Sequence, residues 1–329
     1  METLVKEIND LSISYAVQIL EKGGVIGMPT ETVYGLAGIG LYPDTVKKIF
    51  EVKGRPSDNP LIAHVHKDYN LNKLCYIEHE YIYKLISKFM PGPLTLVMKS
   101  KGVICSEAIC GGDTLAVRIP SHGGCQKLLK ALDKPVVAPS ANLSKHTSPV
   151  SAEHVFNDLS GKIPLILDGG KCSGGIESTV LDVTGKVPRV LRAGLITREM
   201  IKEVCGECEI AEHKQGDRVK SPGVKYSHYK PKCRTRLFNP QEIDELISLY
   251  DYEIAQGNVP YIMCQSSLVQ KFNGKNLLLL GSTGEEIAHN LYDKLLEGEK
   301  VADVILAVSF DREDGVYLGI MNRLRKACG

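Results

Sequence analysis

Several short segments place cationic, hydroxyl and amide side chains where predicted strands or helices begin or end. They comprise residues 29–36, 53–61, 140–144 and 177–179, and Arg192 ends a further predicted strand. Serine, asparagine, glycine and proline favour turns, so each segment alone also fits ordinary turn chemistry. Together the segments supply the groups that bind a polyphosphate without a P-loop, namely cations, hydroxyls and an amide at sheet edges.

The common nucleotide and metal motifs are not matched. Residues 35–40 are glycine-rich but lack GxGxxG spacing, and Cys172 follows Lys171 where a P-loop needs serine or threonine. Cys205 and Cys208 form one CxxC pair, whereas a structural zinc site needs four ligands. We therefore expect two ordinary thiols near the end of a helix, and we predict no metal-binding residues.

Composition narrows the class of protein. The 329 residues include 40 Lys and Arg against 39 Asp and Glu, which gives a net charge of +1. This balance argues against a surface built wholly to bind nucleic acid or anionic membrane. No stretch approaches the roughly 20 apolar residues of a transmembrane helix, and residues 1–10 lack the apolar run of a signal peptide. We expect a cytoplasmic protein without membrane contact, whose ten cysteines are reduced thiols.

Short apolar strands alternate with amphipathic helices in the first two thirds of the chain. Predicted helices cover residues 14–22, 44–53, 81–89, 124–132 and 151–159. Predicted strands cover residues 25–28, 61–65, 94–99, 115–119, 136–138, 180–183 and 187–191. Because the order is mixed and prolines interrupt several strands, the pattern predicts an α/β domain with a twisted, partly antiparallel sheet.

Charge marks the domain boundaries. Residues 214–236 contain eight basic residues and one acid, residues 1–213 are balanced, and residues 237–329 hold fourteen acids and eight bases. This distribution predicts a first domain, a basic linker and a small acidic domain with those three ranges. The prolines of the linker exclude a continuous helix, so it is either a solvated tether or a strap over an anionic ligand.

The C-terminal range has its own α/β pattern. Predicted helices cover residues 242–249 and 285–296, and predicted strands cover residues 261–264, 277–280 and 304–308. Thr283 and Glu286 have the spacing of a capping box at the start of the second helix.

The polar segments also carry a family resemblance. Residues 29–36 (PTETVYGL), 53–56 (KGRP), 91–93 (PGP), 139–142 (PSAN) and 178–179 (ST) resemble the YrdC-like family of L-threonylcarbamoyladenylate synthases. Residues 221–231 (SPGVKYSHYKP) are similar to the linker of the longer, two-domain form, whereas residues 321–324 (MNRL) give a weaker match near the C-terminus. The resemblance implies a YrdC-like twisted mixed sheet domain followed by a smaller Rossmann-like α/β domain.

The resemblance implies a reaction in which L-threonine, bicarbonate or CO2 and ATP give threonylcarbamoyl-AMP and pyrophosphate. The product would pass to a downstream threonylcarbamoyl transferase complex that forms N6-threonylcarbamoyladenosine in tRNA. Mg²⁺ is expected with ATP, held by phosphate oxygens and water more than by protein ligands. A tRNA or another double-stranded RNA is a further candidate partner.

The resemblance also implies roles for individual residues. The catalytic phosphate-binding residues would be Lys53 and Arg55. L-threonine would be bound by Thr32, His64, Arg118, Ala138 and Ser178, with Arg118 holding the carboxylate. ATP would be bound by Arg55, Asn59, Thr114, Ser140, Asn142, Ser148, Arg192, Tyr226, His228 and Tyr229. The alternative for each of these residues is structural, such as helix capping for the Lys53–Arg55 pair or a hydrogen-bonded core histidine for His64.

The last three ATP residues would act from the linker as a lid that excludes water. The chain departs from the expected family pattern there, with Val224 in place of methionine and Ser227 in place of arginine. The change at position 227 removes one expected phosphate contact.

Three other functions remain open on the sequence. A non-catalytic RNA-binding protein would use the basic linker and show salt-dependent RNA binding without pyrophosphate release. A carbamoyl-adenylating domain of the kind found in hydrogenase maturation proteins would act on another acceptor, but the paired CxxC motifs expected there are missing. A scaffold protein would bind its partner through the C-terminal domain.

Overall fold

The computed structural model describes residues 1–211 and 229–329. The predicted lid residues Tyr226 and His228 lie outside this described part, whereas Tyr229 lies within it. None of the described helices is both long and apolar enough to cross a membrane.

Twelve strands form the first sheet of the described chain. They are β1 (Leu4–Glu7), β2 (Ile26–Met28), β3 (Gly35–Ile39), β4 (Ile62–His64), β5 (Cys75–Tyr76), β6 (Leu94–Ser100), β7 (Thr114–Arg118), β8 (Val136–Val137), β9 (Leu165–Asp168), β10 (Thr179–Asp182), β11 (Arg189–Arg192) and β12 (Glu209–Ile210). Their order is β1-β9-β2-β3-β8-β4-β7-β6-β10-β11-β12, and β5 pairs with β6. Parallel pairs such as β4 with β7 stand beside antiparallel pairs such as β6 with β7, so the predicted mixed sheet is confirmed.

Helices cover this sheet. They are α1 (Asp10–Glu21), α2 (Pro43–Lys53), α3 (Glu80–Phe89), α4 (Gly123–Leu132), α5 (Ala152–Leu159) and α6 (Arg198–Cys205). One apolar cluster joins α1 and α4 to β2 and β9, through residues such as Leu20, Leu128, Met28 and Leu165. A second, larger cluster joins α2 and α3 to the rest of the sheet. Burial of both apolar clusters drives the folding of the domain.

The end of α2 positions a functional segment. Lys53 is the last helical residue, and Gly54 follows with φ 58°, the left-handed conformation that glycine adopts at low cost. This turn redirects the chain so that Arg55 leaves the helix and enters the cavity described below.

The second sheet has four parallel strands in the order β13-β16-β14-β15. These are β13 (Arg234–Phe238), β14 (Pro260–Cys264), β15 (Leu277–Leu279) and β16 (Val304–Val308), with helices α7 (Ile243–Ala255), α8 (Gly284–Val301) and α9 (Gly315–Cys328). The parallel, helix-covered sheet is the predicted Rossmann-like arrangement. Thr283 and Glu286 form the predicted capping box at the start of α8. The predicted domain boundaries at 213 and 237 stay a prediction; β13 begins at Arg234.

Helices α8 and α9 pack directly against the first domain. A β-carbon at Gly175 would clash with the backbone oxygens of Ala288 and His289, and one at Gly319 would lie 3.3 Å from the carbonyl oxygen of Ala193. Ion pairs border this contact, including Lys171 with Asp293 at 2.6 Å and Lys300 with Glu153 at 2.6 Å. Glycines therefore permit close backbone approach at two points of the interface.

Candidate active site

One cavity collects most of the predicted site residues. It lies beside the ends of β3, β4, β7, β8, β10 and β11. Predicted residues that line it are Arg55, His64, Arg118, Ala138, Ser140, Asn142, Ser148, Ser178, Arg192 and Tyr229. Segments that are far apart in the sequence therefore meet at one place, with three guanidinium groups among their side chains.

Protein groups hold the side chain of Arg118 in place. Its side chain is 5% exposed, and its Nη2 atom lies 2.8 Å from Oε1 of Glu31. The alignment of these two atoms falls short of a hydrogen bond, so the contact is an ion pair. The Nε atom donates to the carbonyl oxygen of Gly92 at 3.4 Å, and the other oxygen of Glu31 accepts from the Ser121 backbone at 3.1 Å. These partners fix the guanidinium plane, which suits recognition of a carboxylate.

His64 lies on β4, next to Arg118 on β7 in the strand register. Burial, reinforced by the charge of Arg118, lowers the pKa of His64 to about 3. Its Nδ1 atom lies 3.0 Å from the carbonyl oxygen of Ile62 and must donate to it, since a carbonyl only accepts. The imidazole is therefore neutral at physiological pH and contributes hydrogen bonding without charge.

Ser178 and Arg192 form a connected pair at the cavity, just before β10 and at the end of β11. Arg192 donates to the Ser178 carbonyl at 3.0 Å from Nη2, and to the Ser178 hydroxyl at 3.1 Å. The same hydroxyl lies 2.8 Å from Oγ1 of Thr95. Two neighbouring strands, β10 and β11, thus bring a cation and a hydroxyl to the cavity wall.

Lys53 does not line the cavity. Its side chain is buried and its ammonium donates to the carbonyl oxygens of Ser140 and Asn142, the latter at 2.6 Å. Burial, with a smaller contribution from Arg55, holds the pKa of Lys53 well below its ordinary value. Lys53 therefore fixes the loop that carries two cavity residues, and its predicted contact with phosphate stays a prediction.

Three further predicted residues lie outside the cavity wall. Thr32 is buried behind it, with its hydroxyl 3.0 Å from that of Thr30, which does line the cavity. Asn59 is fully buried, and its side-chain amide has no hydrogen-bond partner within residues 1–211 and 229–329. Thr114 lies at the far end of β7, about 13 Å along the strand from Arg118. The predicted ligand contacts of these three residues stay predictions.

The structure also places residues in the site that were not predicted individually. Glu31 and Glu177 are buried carboxylates in segments that were identified for their cations and hydroxyls, and Glu177 lines the cavity. Tyr34 and His146 line it as well. The sequence does carry a signal for Glu31 and Glu177. Each is an acid within a segment that is expected to bind anions, which indicates a partner for a buried arginine.

Residues from the second half of the chain complete one wall. Tyr229 lines the cavity, and its ring stacks on that of Tyr292 from α8 with centroids 5.1 Å apart. The backbone around Tyr229 is tied to the first domain, since its carbonyl accepts from the Thr147 hydroxyl at 3.2 Å. Of the three predicted lid residues, Tyr229 thus lies at the cavity, and its predicted contact with ATP stays a prediction.

Comparisons with known proteins agree with this architecture. The profile of the Sua5/YciO/YrdC family, described as telomere recombination, matches residues 18–194. The profile of the C-terminal domain of threonylcarbamoyl-AMP synthase matches residues 196–329. The two profiles together cover most of the chain.

Two curated relatives are similar over nearly the whole chain. A threonylcarbamoyl-AMP synthase of Pyrococcus abyssi is 40% identical, over 98% of this chain and 96% of the relative. One of Bacillus subtilis is 39% identical, over 98% of this chain and 94% of the relative. The crystal structure of P. abyssi Sua5 complexed with L-threonine has a TM-score of 0.90 and 39% identity, and covers 99% of this chain and 97% of that chain.

Proposed function

The chain belongs to the threonylcarbamoyl-AMP synthase family, and we propose that its cavity joins L-threonine, bicarbonate or CO2 and ATP into threonylcarbamoyl-AMP and pyrophosphate. The observation that carries the proposal is the meeting of Arg55, Arg118 and Arg192 with serine and asparagine side chains in one cavity. Such a cavity can hold two anions side by side, which is the main requirement of this reaction.

The threonine end of the cavity is assigned to Arg118 and its neighbours. A relative with 39% identity has been crystallised with L-threonine. Arg118 would bind the threonine carboxylate, while His64 and Ser178 would hydrogen-bond its other polar groups. Since Glu31 already pairs with Arg118, the pair presents a guanidinium whose orientation is set in advance.

The reaction then needs few covalent steps. The threonine amine adds to CO2 and loses a proton, which gives a carbamate. A carbamate oxygen attacks the α-phosphorus of ATP, the bond from that phosphorus to the bridging oxygen breaks, and pyrophosphate leaves. Charge develops on the phosphoryl oxygens, and the guanidinium groups of Arg55 and Arg192, which line the cavity, would stabilise it in the transition state.

Exclusion of water is the second requirement, because a carbamate decomposes readily. Tyr229 closes one wall of the cavity and is itself buried. The lid role of Tyr226 and His228 remains part of the proposal and concerns residues outside the described chain.

Mg²⁺ is proposed to enter with ATP, where it would neutralise phosphate charge. No group of three or more histidine, cysteine or acidic side chains within the described residues could hold a metal ion. Among the described residues, Glu177 is the acid that lines the cavity, and it accepts hydrogen bonds from protein donors. The proposal therefore assigns the ion to phosphate oxygens and water rather than to protein ligands.

The product would supply an enzyme that transfers the threonylcarbamoyl group to adenosine in tRNA. We place the reaction in the cytoplasm because ATP is supplied there. Direct binding of tRNA or double-stranded RNA is a separate candidate activity, which the basic residues between 214 and 236 suggest.

An omission assay tests the proposed function. Pyrophosphate release from ATP is measured with threonine, bicarbonate and Mg²⁺ present, and then with each left out in turn. We expect release to require threonine and bicarbonate. Release that continues without threonine would reject the assigned substrate, and RNA binding without any release would favour the non-catalytic alternative.

A further inference from the structure

A buried carboxylate connects the cavity to the C-terminal domain. Glu177 is 8% exposed and lines the cavity. Its Oε1 atom accepts from the Ser148 hydroxyl at 2.7 Å. Its Oε2 atom accepts from the Tyr292 hydroxyl at 2.9 Å and from Nε of Arg323 at 3.1 Å. One oxygen thus faces the first domain and the other faces helices α8 and α9.

The charges around Glu177 require it to remain ionised. Burial alone would raise its pKa, but the nearby guanidinium groups of Arg323 and Arg192 reverse this effect and lower the pKa of Glu177 to about 2. Arg323 is fully buried, and its Nη1 atom also donates to the carbonyl oxygens of Ala193 and, at 3.2 Å, of Gly319. An ionised carboxylate only accepts hydrogen bonds.

The orientation of the Ser148 hydroxyl follows from that charge. Because Glu177 can only accept, the Ser148 hydroxyl must donate its single hydrogen to Glu177. The serine oxygen then offers only lone pairs to a ligand in the cavity. Among the groups of ATP, phosphate oxygens are acceptors, whereas the adenine amino group and the ribose hydroxyls are donors.

We propose that Tyr292 and Arg323 of the C-terminal domain are positioning residues that hold Glu177 and thereby fix the Ser148 hydroxyl as an acceptor for a donor group on the base or sugar of ATP. This inference rests on the proposed function for the identity of the nucleotide. It gives the C-terminal domain a defined part in substrate binding, through contacts that span 115 and 146 residues of sequence.

A double-mutant cycle on the full chain tests the positioning. ATP binding is measured at equilibrium, without threonine, for wild type, Tyr292→Phe, Ser148→Ala and the double variant. We expect Tyr292→Phe to weaken binding about fivefold, and to weaken it less than twofold when Ser148 is already alanine. Equal fold-changes in the two backgrounds, or no change in either, would overturn the inference.

Two further variants separate positioning from general damage. Tyr250→Phe removes another tyrosine hydroxyl of the C-terminal domain, which accepts from the Asn276 backbone at 3.0 Å away from the interface, and we expect unchanged ATP affinity. Glu177→Gln keeps the shape of the side chain but removes its charge. We expect it, like Tyr292→Phe, to weaken ATP binding when Ser148 is present and to have less effect when Ser148 is alanine.

Nucleotide analogues identify the donor group. Wild type and Ser148→Ala are compared with ATP, purine riboside triphosphate, 2′-deoxy-ATP and 3′-deoxy-ATP. We expect one analogue to bind wild type about fivefold more weakly than ATP, and Ser148→Ala to bind that analogue and ATP equally. An unchanged discrimination in Ser148→Ala would overturn the acceptor role. Since these measurements need no turnover, ATP binding without pyrophosphate release would reject the proposed function and leave the inference standing.

Discussion

The two halves of the molecule place their charges differently. In the first domain Lys53, Arg118, Glu31 and Glu177 are buried around or behind a cavity. In the C-terminal domain charged pairs mostly lie at the surface, as in the pair of Arg312 and Asp314, whose side chains are 57% and 65% exposed. Burial of a charge costs free energy unless the charge is paired. In the first domain the buried charges lie where a bound ligand could interact with them.

Arg323 departs from this pattern. Its charged side chain is fully buried. It extends out of its own domain and donates a hydrogen bond to Glu177. Glu253 is also mostly buried, but it pairs with Arg234, a half-exposed residue of its own domain. The buried charge of Arg323 is therefore paired with a carboxylate that lines the cavity of the other domain.

The largest predicted effect comes from the arginine assigned to threonine. Arg118→Lys keeps the charge beside Glu31 but loses the planar, bidentate geometry. We expect the KM for threonine in pyrophosphate release to rise about 100-fold, which corresponds to about 2.7 kcal/mol, with ATP affinity little changed. Arg236→Lys at a surface pair with Glu245 is the matched control and should leave both unchanged. An equal loss of ATP affinity in Arg118→Lys would argue against the threonine assignment.

The next effect concerns the buried lysine behind the cavity. Lys53→Met leaves the carbonyl oxygens of Ser140 and Asn142 without their donor. We expect a loss of about 2 kcal/mol in the free energy of unfolding, measured by urea denaturation, together with weaker ATP binding. Lys47→Met on the same helix removes only an exposed pair with Asp44 and should change stability by less than about 0.5 kcal/mol. Equal losses in the two variants would show that Lys53 has no special structural role.

A smaller effect appears with pH. The pKa of His64 is about 3 in the folded state and about 6.5 in an unfolded chain, so the unfolded state takes up a proton first as the pH falls. The contribution of His64 to the free energy of unfolding is therefore fully present above pH 6.5 and is lost progressively as the pH falls toward 3. Between pH 7 and 5.5 we expect His64 to account for about 1.3 kcal/mol of the decrease in unfolding free energy. His64→Gln should lack this share, and an identical pH dependence in both proteins would contradict the assigned burial effect.

The smallest effect belongs to the surface of the C-terminal domain. Glu245→Gln breaks the pair with Arg236, in which both side chains are more than half exposed. We expect a change of less than about 0.5 kcal/mol in unfolding free energy, decreasing further at high salt. A loss of several kcal/mol in thermal or urea unfolding would remove the contrast between the two domains.

Much of this fold is legible in local sequence, because strands and helices are set by nearby residues. The predicted strands at 94–99 and 304–308 correspond to β6 and β16 within one residue at each end. Strand β3 was not predicted, because Gly35–Ile39 contains two glycines and is buried throughout, so it lacks an alternating pattern. Helix α9 was also not predicted.

The residues of the site likewise fall into those that local sequence identifies and those that it does not. Residues in turns after strands, such as Ser140 and Ser178, could be identified because turn chemistry and ligand chemistry use the same residue types. Tyr292 and Arg323 could not, since they reach Glu177 only through the packing of two domains. Arg323 had one signal, its place among buried residues such as Ile320, Leu324 and Ala327 on one face of α9, which indicates a buried cation in need of a partner.

The central claim is that one cavity holds an amino acid next to a nucleotide so that they become covalently joined. The most direct measurement is mass spectrometry of rapidly quenched reactions that contain ATP, L-threonine and ¹³C-bicarbonate. We predict a species with the mass of threonylcarbamoyl-AMP that gains one mass unit from the labelled carbon and is lost in Arg118→Lys at low threonine. Pyrophosphate and AMP formed without any such labelled adduct would contradict the account.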